Sequence, residues 1–168
     1  MEIIELLQSY VDQGYLLHGS RHKCKQLNPR RKKHLNEKVG LLKAVYVTDE
    51  PLIAMFKAIL RARKVPGKRG LYGWGFSLQG KPKFRISPNY IKYKGFSKGY
   101  LYVVEKKDFT KSKKIPHEFY CFKTVVPQKV IMVEPEDFLE KVKFSFWTKN
   151  EAIKTKLFTE EEITAMGY

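Results

Sequence analysis

The chain has 168 residues, of which 43% are hydrophobic and 14% aromatic, and its formal net charge is +16. This length and apolar content are typical of a single folded domain with a substantial core, and they exclude a disordered chain. No apolar run approaches the roughly 18 residues of a membrane span. The first five residues include acids where a secretion signal carries bases. We therefore expect a cytoplasmic protein with no membrane partner.

The positive charge is concentrated in one part of the chain. Residues 21–104 hold 21 Lys and Arg against three acidic residues, and residues 51–104 hold no acid at all. Such one-sided charge favours a polyanionic or phosphate-bearing partner, although a lysine-rich soluble surface would produce the same composition. The run with the highest charge density is the candidate nucleic-acid contact, and it consists of Arg30, Arg31, Lys32 and Lys33.

The N-terminal half predicts two helices that alternate with two short strands. Apolar residues at helical spacing predict a helix over residues 2–13, and Tyr15–His18 is a short apolar strand. Residues 21–43 form a basic, turn-rich loop. Ala44–Val47 is the next strand. A second helix follows the possible caps Thr48 and Asp49 and ends before the Pro66-Gly67 pair.

The C-terminal half predicts strands first and helices last. Aromatic and β-branched residues between turn signals predict strands over 71–78, 100–104, 119–125 and 129–133. A helix start at 135–139, a last strand over 142–146 and short helices over 150–157 and 160–166 follow. Residues 1–168 then form one α+β domain with helices beside mostly antiparallel strands.

The cysteine and histidine pattern predicts no metal site. Cys24 and Cys121 lack the close spacing of zinc ligands, and the four histidines form no HExxH motif. We expect both cysteines to be reduced thiols packed in the protein.

Three short strings each place a polar residue among apolar neighbours at a strand or strand end. They are Leu16-Leu17-His18-Gly19-Ser20-Arg21, Val45-Tyr46-Val47-Thr48-Asp49 and His117-Glu118-Phe119-Tyr120. In this order they resemble the His, Tyr and Glu strands of the ADP-ribosyltransferase superfamily, on the branch of the poly(ADP-ribose) polymerases and diphtheria-type toxins. The resemblance spans residues 15–135, and it implies two facing β-sheets with flanking helices and a cleft that binds NAD.

The resemblance also implies roles for individual residues. His18 would contact the adenosine ribose, Gly19 would offer backbone groups to the nicotinamide amide, and Ser20 completes the His-Gly-Ser string. Tyr46 would stack on the nicotinamide ring. Glu118 would be the catalytic carboxylate, because the ribose becomes positively charged as nicotinamide leaves.

Some positions depart from the family pattern. Ala54 stands where a polymerase has a serine. Lys57 stands where a polymerase has a second stacking tyrosine, and the neighbouring Phe56 is therefore counted among the candidate cofactor contacts. Pro116 precedes Glu118 by two residues, where arginine-specific transferases have an acidic residue.

These features predict transfer of ADP-ribose from NAD to a macromolecule, with His18, Tyr46 and Glu118 as the catalytic set. The basic band favours DNA or RNA as the acceptor. Two alternatives remain open. One is NAD-dependent removal of an RNA 2′-phosphate on a related fold, and the other is a non-catalytic nucleic-acid-binding module whose aromatic residues stack on bases.

Overall fold

The protein is described by a computed structural model that covers residues 2–31, 42–61 and 70–168. Those residues contain six α-helices and ten β-strands. In chain order they are α1 (Ile3–Asp12), β1 (Tyr15–Ser20), β2 (Arg30–Arg31), β3 (Lys43–Thr48), α2 (Pro51–Ile59), β4 (Tyr72–Phe76), β5 (Pro82–Ile86), α3 (Asn89–Lys92), β6 (Gly99–Glu105), β7 (Thr110–Lys111), β8 (Glu118–Cys121), β9 (Lys129–Val133), α4 (Pro135–Leu139), β10 (Phe144–Phe146), α5 (Lys149–Lys154) and α6 (Glu160–Ala165).

The predicted α+β class is confirmed, because helices accompany two mostly antiparallel sheets. The chain was expected to form one domain with a core over residues 15–135. The structure groups it into two compact units that are interleaved in sequence. The first unit is Met1–Ile59 with Lys98–Asp137, and the second unit is Leu60–Ser97 with Phe138–Tyr168.

The first unit is built on one sheet with the strand order β7-β8-β3-β1-β6-β9, and β2 pairs with β3 beside this path. All strand pairs among its described residues are antiparallel. One sheet face carries an apolar cluster that includes Leu16, Val47 and Phe119. The segment after β1 covers this cluster, since Leu27 belongs to it and bridges to Val125.

Helix α2 packs against β1 and β6 of the same sheet. Two glycines permit this close packing. A Cβ atom added at Gly19 would collide with the carbonyl oxygen of Ala54, and one added at Gly99 would collide with that of Ala58. The predicted caps were Thr48 or Asp49, but α2 begins at Pro51 and the side chain that accepts a first-turn amide is that of Glu50, whose Oε1 accepts the Leu52 amide. Thr48 Oγ1 accepts the Glu50 amide just before the helix.

The second unit contains a sheet with the order β10-β5-β4, in which β4 and β5 are antiparallel while β5 and β10 are parallel. Helices α5 and α6 begin with capping boxes at Thr148 and Thr159. An apolar cluster of Leu71, Ala152, Ile163 and Met166 forms part of the core of this unit. Among the described residues, no helix is long and apolar enough to cross a membrane.

Candidate functional site

The three strings singled out in the sequence lie on three neighbouring strands of the first unit. The order β8-β3-β1 places the Glu118 strand beside the Tyr46 strand, and the Tyr46 strand beside the His18 strand. The register pairs Thr48 with Glu118 and Tyr46 with Tyr120. About 70 residues separate the second string from the third in sequence, so it is sheet pairing that makes the three strands neighbours.

Strand geometry places Tyr46 and Glu118 on the same face of the sheet. Residues directly opposite on antiparallel strands share a face, and residues two apart on one strand share it too. Glu118 lies opposite Thr48, which is two residues from Tyr46, so both side chains project to one side. By the same alternation His18 belongs to the other face, because Leu17 is the register partner of Thr48.

His18 is nevertheless tied to the Tyr46 strand through its ring. Its Nδ1 lies 2.7 Å from the Tyr46 carbonyl oxygen. A carbonyl oxygen only accepts hydrogen bonds, so Nδ1 carries the proton and donates it. The ring thus bonds to the Tyr46 carbonyl oxygen, which a backbone amide of the adjacent strand would otherwise use as an acceptor. Within the described residues the β1–β3 ladder has the single register pair Leu17 with Thr48, so the two strands separate beyond it.

The protonation state of His18 decides what its second ring nitrogen can do. Burial is the main cause that lowers the pKa of His18 from 6.5 to about 4, and the hydrogen bond to Tyr46 opposes this effect. The positive charges of Lys57 and Arg30 lower the pKa further. At neutral pH the ring is therefore uncharged with its proton on Nδ1, and Nε2 is a hydrogen-bond acceptor. Such an acceptor is complementary to a sugar hydroxyl.

Tyr46 is partly buried, and its ring lies beside the Glu118 strand. Its hydroxyl donates to the Leu42 carbonyl oxygen at 2.8 Å. Burial raises the pKa of Tyr46, and the Glu118 carboxylate and then the Tyr120 hydroxyl add to the rise. The tyrosine and the glutamate are therefore close enough to interact electrostatically. The hydroxyl therefore stays protonated at physiological pH, and the ring offers an aromatic face for stacking.

Glu118 is a buried carboxylate at the first position of β8, and the residue is 6% exposed. Its backbone is fixed from both directions. Its amide donates to the Ile115 carbonyl oxygen at 3.4 Å, and its carbonyl oxygen accepts the Ser112 amide at 2.8 Å. A buried carboxylate on a fixed backbone stabilises positive charge that develops beside it without reorganising first.

A histidine–aspartate contact next to Glu118 has no counterpart in the sequence predictions. Nδ1 of His117 lies 2.7 Å from Oδ1 of Asp49. His117 adopts φ +58°, a left-handed conformation that is uncommon for a residue other than glycine. Both residues lie inside the quoted strings. Each directly adjoins one member of the Thr48–Glu118 register pair, so the register would have predicted their contact. The sequence alone does not show that register.

Other predicted site residues have more varied positions. Phe56 is 0% exposed inside the first unit, and its role as a cofactor contact stays a prediction. Ser20 is partly buried, and its Oγ accepts the His22 amide at 3.3 Å. Arg30 and Arg31 are exposed on β2. Lys32 and Lys33 lie outside the described residues.

Within residues 2–31, 42–61 and 70–168, no group of three or more His, Cys, Asp or Glu side chains could hold a metal ion. Comparison of the chain with protein-family models found no match, and neither did comparison with curated proteins or with solved structures. Any functional assignment therefore depends on the residues and their geometry.

Proposed function

We propose that the first unit binds NAD and transfers its ADP-ribose moiety to a macromolecular acceptor. The observation that supports the proposal is that the strands of His18, Tyr46 and Glu118 are neighbours in one sheet. The side chains of Tyr46 and Glu118 also project from the same face of that sheet. In the His-Tyr-Glu branch of the ADP-ribosyltransferases, which the chain resembles, these three strands are neighbours at one site. The order of the three strings along the chain does not by itself make their strands neighbours. The family's fold, including its two facing sheets, forms part of this proposal.

The chemistry of each residue suits this substrate. Nε2 of His18 accepts a hydroxyl of the adenosine ribose, and the Tyr46 ring packs against nicotinamide. Loss of nicotinamide leaves an oxocarbenium-like ribose, and the Glu118 carboxylate stabilises its positive charge. Lys57, whose charge acts on His18, replaces the second stacking aromatic residue of the polymerases. NAD carries a negatively charged pyrophosphate, so this lysine is compatible with the ligand.

Replacing His18 with alanine is expected to weaken NAD binding. The loss of a partly buried hydrogen bond corresponds to about 1–3 kcal/mol, or roughly 5- to 150-fold in dissociation constant. Isothermal titration calorimetry with NAD measures this directly. His22→Ala is the matched control, since the His22 side chain is exposed and its contacts to Ser20 and Tyr102 use only backbone atoms. Absence of NAD binding by the wild-type protein would contradict the proposal.

The proposed acceptor is a nucleic acid, and a surface on β2 and β3 supports this choice. Arg31 and Lys43 are register partners, and both are exposed. Like charges directly opposite each other on paired strands are destabilising. Within the described residues neither side chain has an ion pair with an acid to offset this cost. A polyanionic partner would neutralise both charges.

Binding of a single-stranded RNA or DNA 20-mer is expected to weaken steeply with salt. Each neutralised phosphate contributes about −0.7 to the log–log slope for single strands. The double variant Arg30→Gln with Arg31→Gln should reduce the magnitude of that slope by about 1.4, measured by fluorescence anisotropy between about 50 and 200 mM salt. The double variant Lys149→Gln with Lys154→Gln, which removes two exposed lysines of α5, should leave it unchanged. No binding at low salt, or equal effects of the two double variants, would refute a nucleic-acid acceptor at β2.

A further inference from the structure

The segment after β8 carries an exposed aromatic side chain that has no part in the proposed handling of NAD. Phe122 is 59% exposed, and its ring centroid lies 5.5 Å from the ring centroid of Tyr120. Tyr120 is the register partner of Tyr46, so the two tyrosines project from the same face of the sheet. The contact between the rings of Tyr120 and Phe122 places Phe122 at the exposed end of this row of aromatic residues.

Arg30 supplies a positive charge on the same face of the sheet. Its register partner is Ala44, which lies two residues from Tyr46 on β3, so Arg30 and Tyr46 project to one side. Arg30 is exposed on β2. Burial is the main cause that lowers the pKa of His18, and the charges of Lys57 and Arg30 lower it further. The guanidinium of Arg30 is therefore within electrostatic range of the candidate site.

Hydrogen bonds join the segment after β8 to the segment that enters β2. Leu27 and Val125 exchange both of their backbone hydrogen bonds, at 2.8 and 2.9 Å. In the adjoining positions, Oγ1 of Thr124 donates to Oδ1 of Asn28 at 3.0 Å. The exposed ring and the guanidinium thus extend from backbone that is already ordered, which reduces the entropy lost when a ligand binds to both.

The two joined segments have the charge that a polyanion requires. Residues 13–36 contain seven Lys and Arg and no acidic residue, and residues 109–133 contain five Lys and a single acidic residue, Glu118. Glu118 is 6% exposed, whereas Lys123, directly after Phe122, is exposed. An exposed aromatic ring beside positive charges is complementary to a nucleic acid strand, because its bases stack on aromatic rings and its phosphates are attracted to Lys and Arg.

We infer that Phe122 is a base-stacking residue for a single-stranded nucleic acid, and that Arg30 contacts the phosphates of the same strand. The inference rests on the proposed function, since it identifies how the proposed acceptor is held. Stacking on an aromatic ring accepts any base, because every base has a flat π-face. The bases of a duplex are already stacked on one another, so the exposed ring selects unpaired strands. Stacking at Phe122 holds the strand on the sheet face from which Tyr46 and Glu118 project.

Replacing Phe122 with alanine is expected to weaken the binding of a fluorescein-labelled thymidine 20-mer and of a uridine 20-mer, measured by fluorescence anisotropy at about 50 mM salt. Removal of one stacking ring corresponds to roughly a 5- to 150-fold rise in dissociation constant. Phe122→Tyr keeps the aromatic face and should stay within about 2-fold of the wild type. Phe122 is mostly exposed, so both variants should fold, which thermal unfolding checks.

An abasic 20-mer separates stacking from attraction between charges, because it has the phosphates of the DNA strand and no bases. Phe122→Ala should bind this abasic strand as the wild type does. Arg30→Gln should weaken binding to the abasic strand and to the thymidine strand alike, since it removes a phosphate contact. The matched control is Phe146→Ala, which removes a 49% exposed ring of β10 in the second unit and should leave the affinity for all three strands unchanged.

The outcomes distinguish this inference from the proposed function. Wild-type affinity of Phe122→Ala for the thymidine and uridine strands would overturn the stacking role, as would an equal loss on the abasic strand or no binding by the wild type. A loss on only one of the two base-carrying strands would support stacking and identify the acceptor as DNA or as RNA. A wild type that binds the strands through Phe122 but releases no nicotinamide from NAD would overturn the proposed transfer and leave the stacking contact intact.

Discussion

Replacing Glu118 with glutamine should reduce nicotinamide release from NAD by roughly 10²-fold or more, while NAD affinity changes little. Glutamine keeps the size and the hydrogen-bonding capacity of the side chain but removes its charge. The charge matters most when the ribose becomes positive, so the transition state loses more stabilisation than the ground state. Steady-state kinetics of nicotinamide release, with NAD affinity measured separately by calorimetry, resolve the two contributions.

Glu105 provides a matched control on the same sheet. It ends β6, its side chain is 40% exposed, and it is engaged by Lys107 at 2.6 Å and by the Gln128 side chain at 2.8 Å. Glu105→Gln removes the same charge away from the Tyr46 strand and should keep full activity. Full activity in Glu118→Gln together with loss of activity in Glu105→Gln would place the catalytic strand elsewhere in the sheet.

Substituting Gly19 with alanine is expected to destabilise the protein by about 3 kcal/mol or more. Overpacking a core ordinarily costs about 1–3 kcal/mol. Here the added Cβ meets the Ala54 carbonyl oxygen and lies 2.9 Å from the Ala58 amide nitrogen, and both are backbone atoms of α2. A backbone atom cannot rotate away as a side chain can, so the helix itself must move. Urea unfolding monitored by circular dichroism measures the loss in free energy of unfolding.

Gly75→Ala is the corresponding control, because no atom lies within 4 Å of a Cβ built there. Its stability should remain within about 1 kcal/mol of the wild type. The same unfolding experiment tests why a glycine is needed at position 19. If Gly19→Ala retains wild-type stability, the packing of α2 on β1 is not as the structure has it. A Gly19→Ala variant that keeps wild-type stability but loses NAD binding would indicate that the ligand, and not α2, approaches this glycine.

Many elements could be predicted because their local pattern and their packing agree. The amphipathic spacing of α1, the capped start of α2 and the apolar strands β1, β3 and β9 all lie close to their predicted positions. The predicted strand over residues 119–125 is shorter, since β8 ends at Cys121. The predicted C-terminal helices correspond to α5 and α6, whose capping residues Thr148 and Thr159 are readable in the sequence.

Other elements depend on partners that are distant in sequence. The segment Lys83-Phe84-Arg85-Ile86 alternates charged and apolar residues, as a strand does. However, β5 begins with a proline, which in a sequence indicates a turn more often than a strand. Its parallel partner β10 lies about 60 residues away, so neither strand is specified locally. The two-residue strands β2 and β7 are defined only by their neighbours.

Some residues of the candidate site could likewise be predicted from the local sequence, and others depend on partners that are distant in sequence. His18, Tyr46 and Glu118 could be singled out because each interrupts an apolar string. The burial of Phe56 could not be predicted from its position beside Lys57, because α2 has apolar residues on most of its surface and is packed on several sides. The contact between Asp49 and His117 joins residues 68 positions apart and needs the β3–β8 register.

The most direct test of the proposed function is release of nicotinamide from NAD by the purified wild-type protein, measured by chromatography in the presence and absence of a single-stranded RNA or DNA 20-mer. The account predicts that nicotinamide accumulates in a protein-dependent manner, and that ADP-ribose appears either free or attached to the oligonucleotide. It also predicts that Glu118→Gln abolishes most of this release. Intact NAD after prolonged incubation with stoichiometric protein, with and without the oligonucleotide, would contradict it.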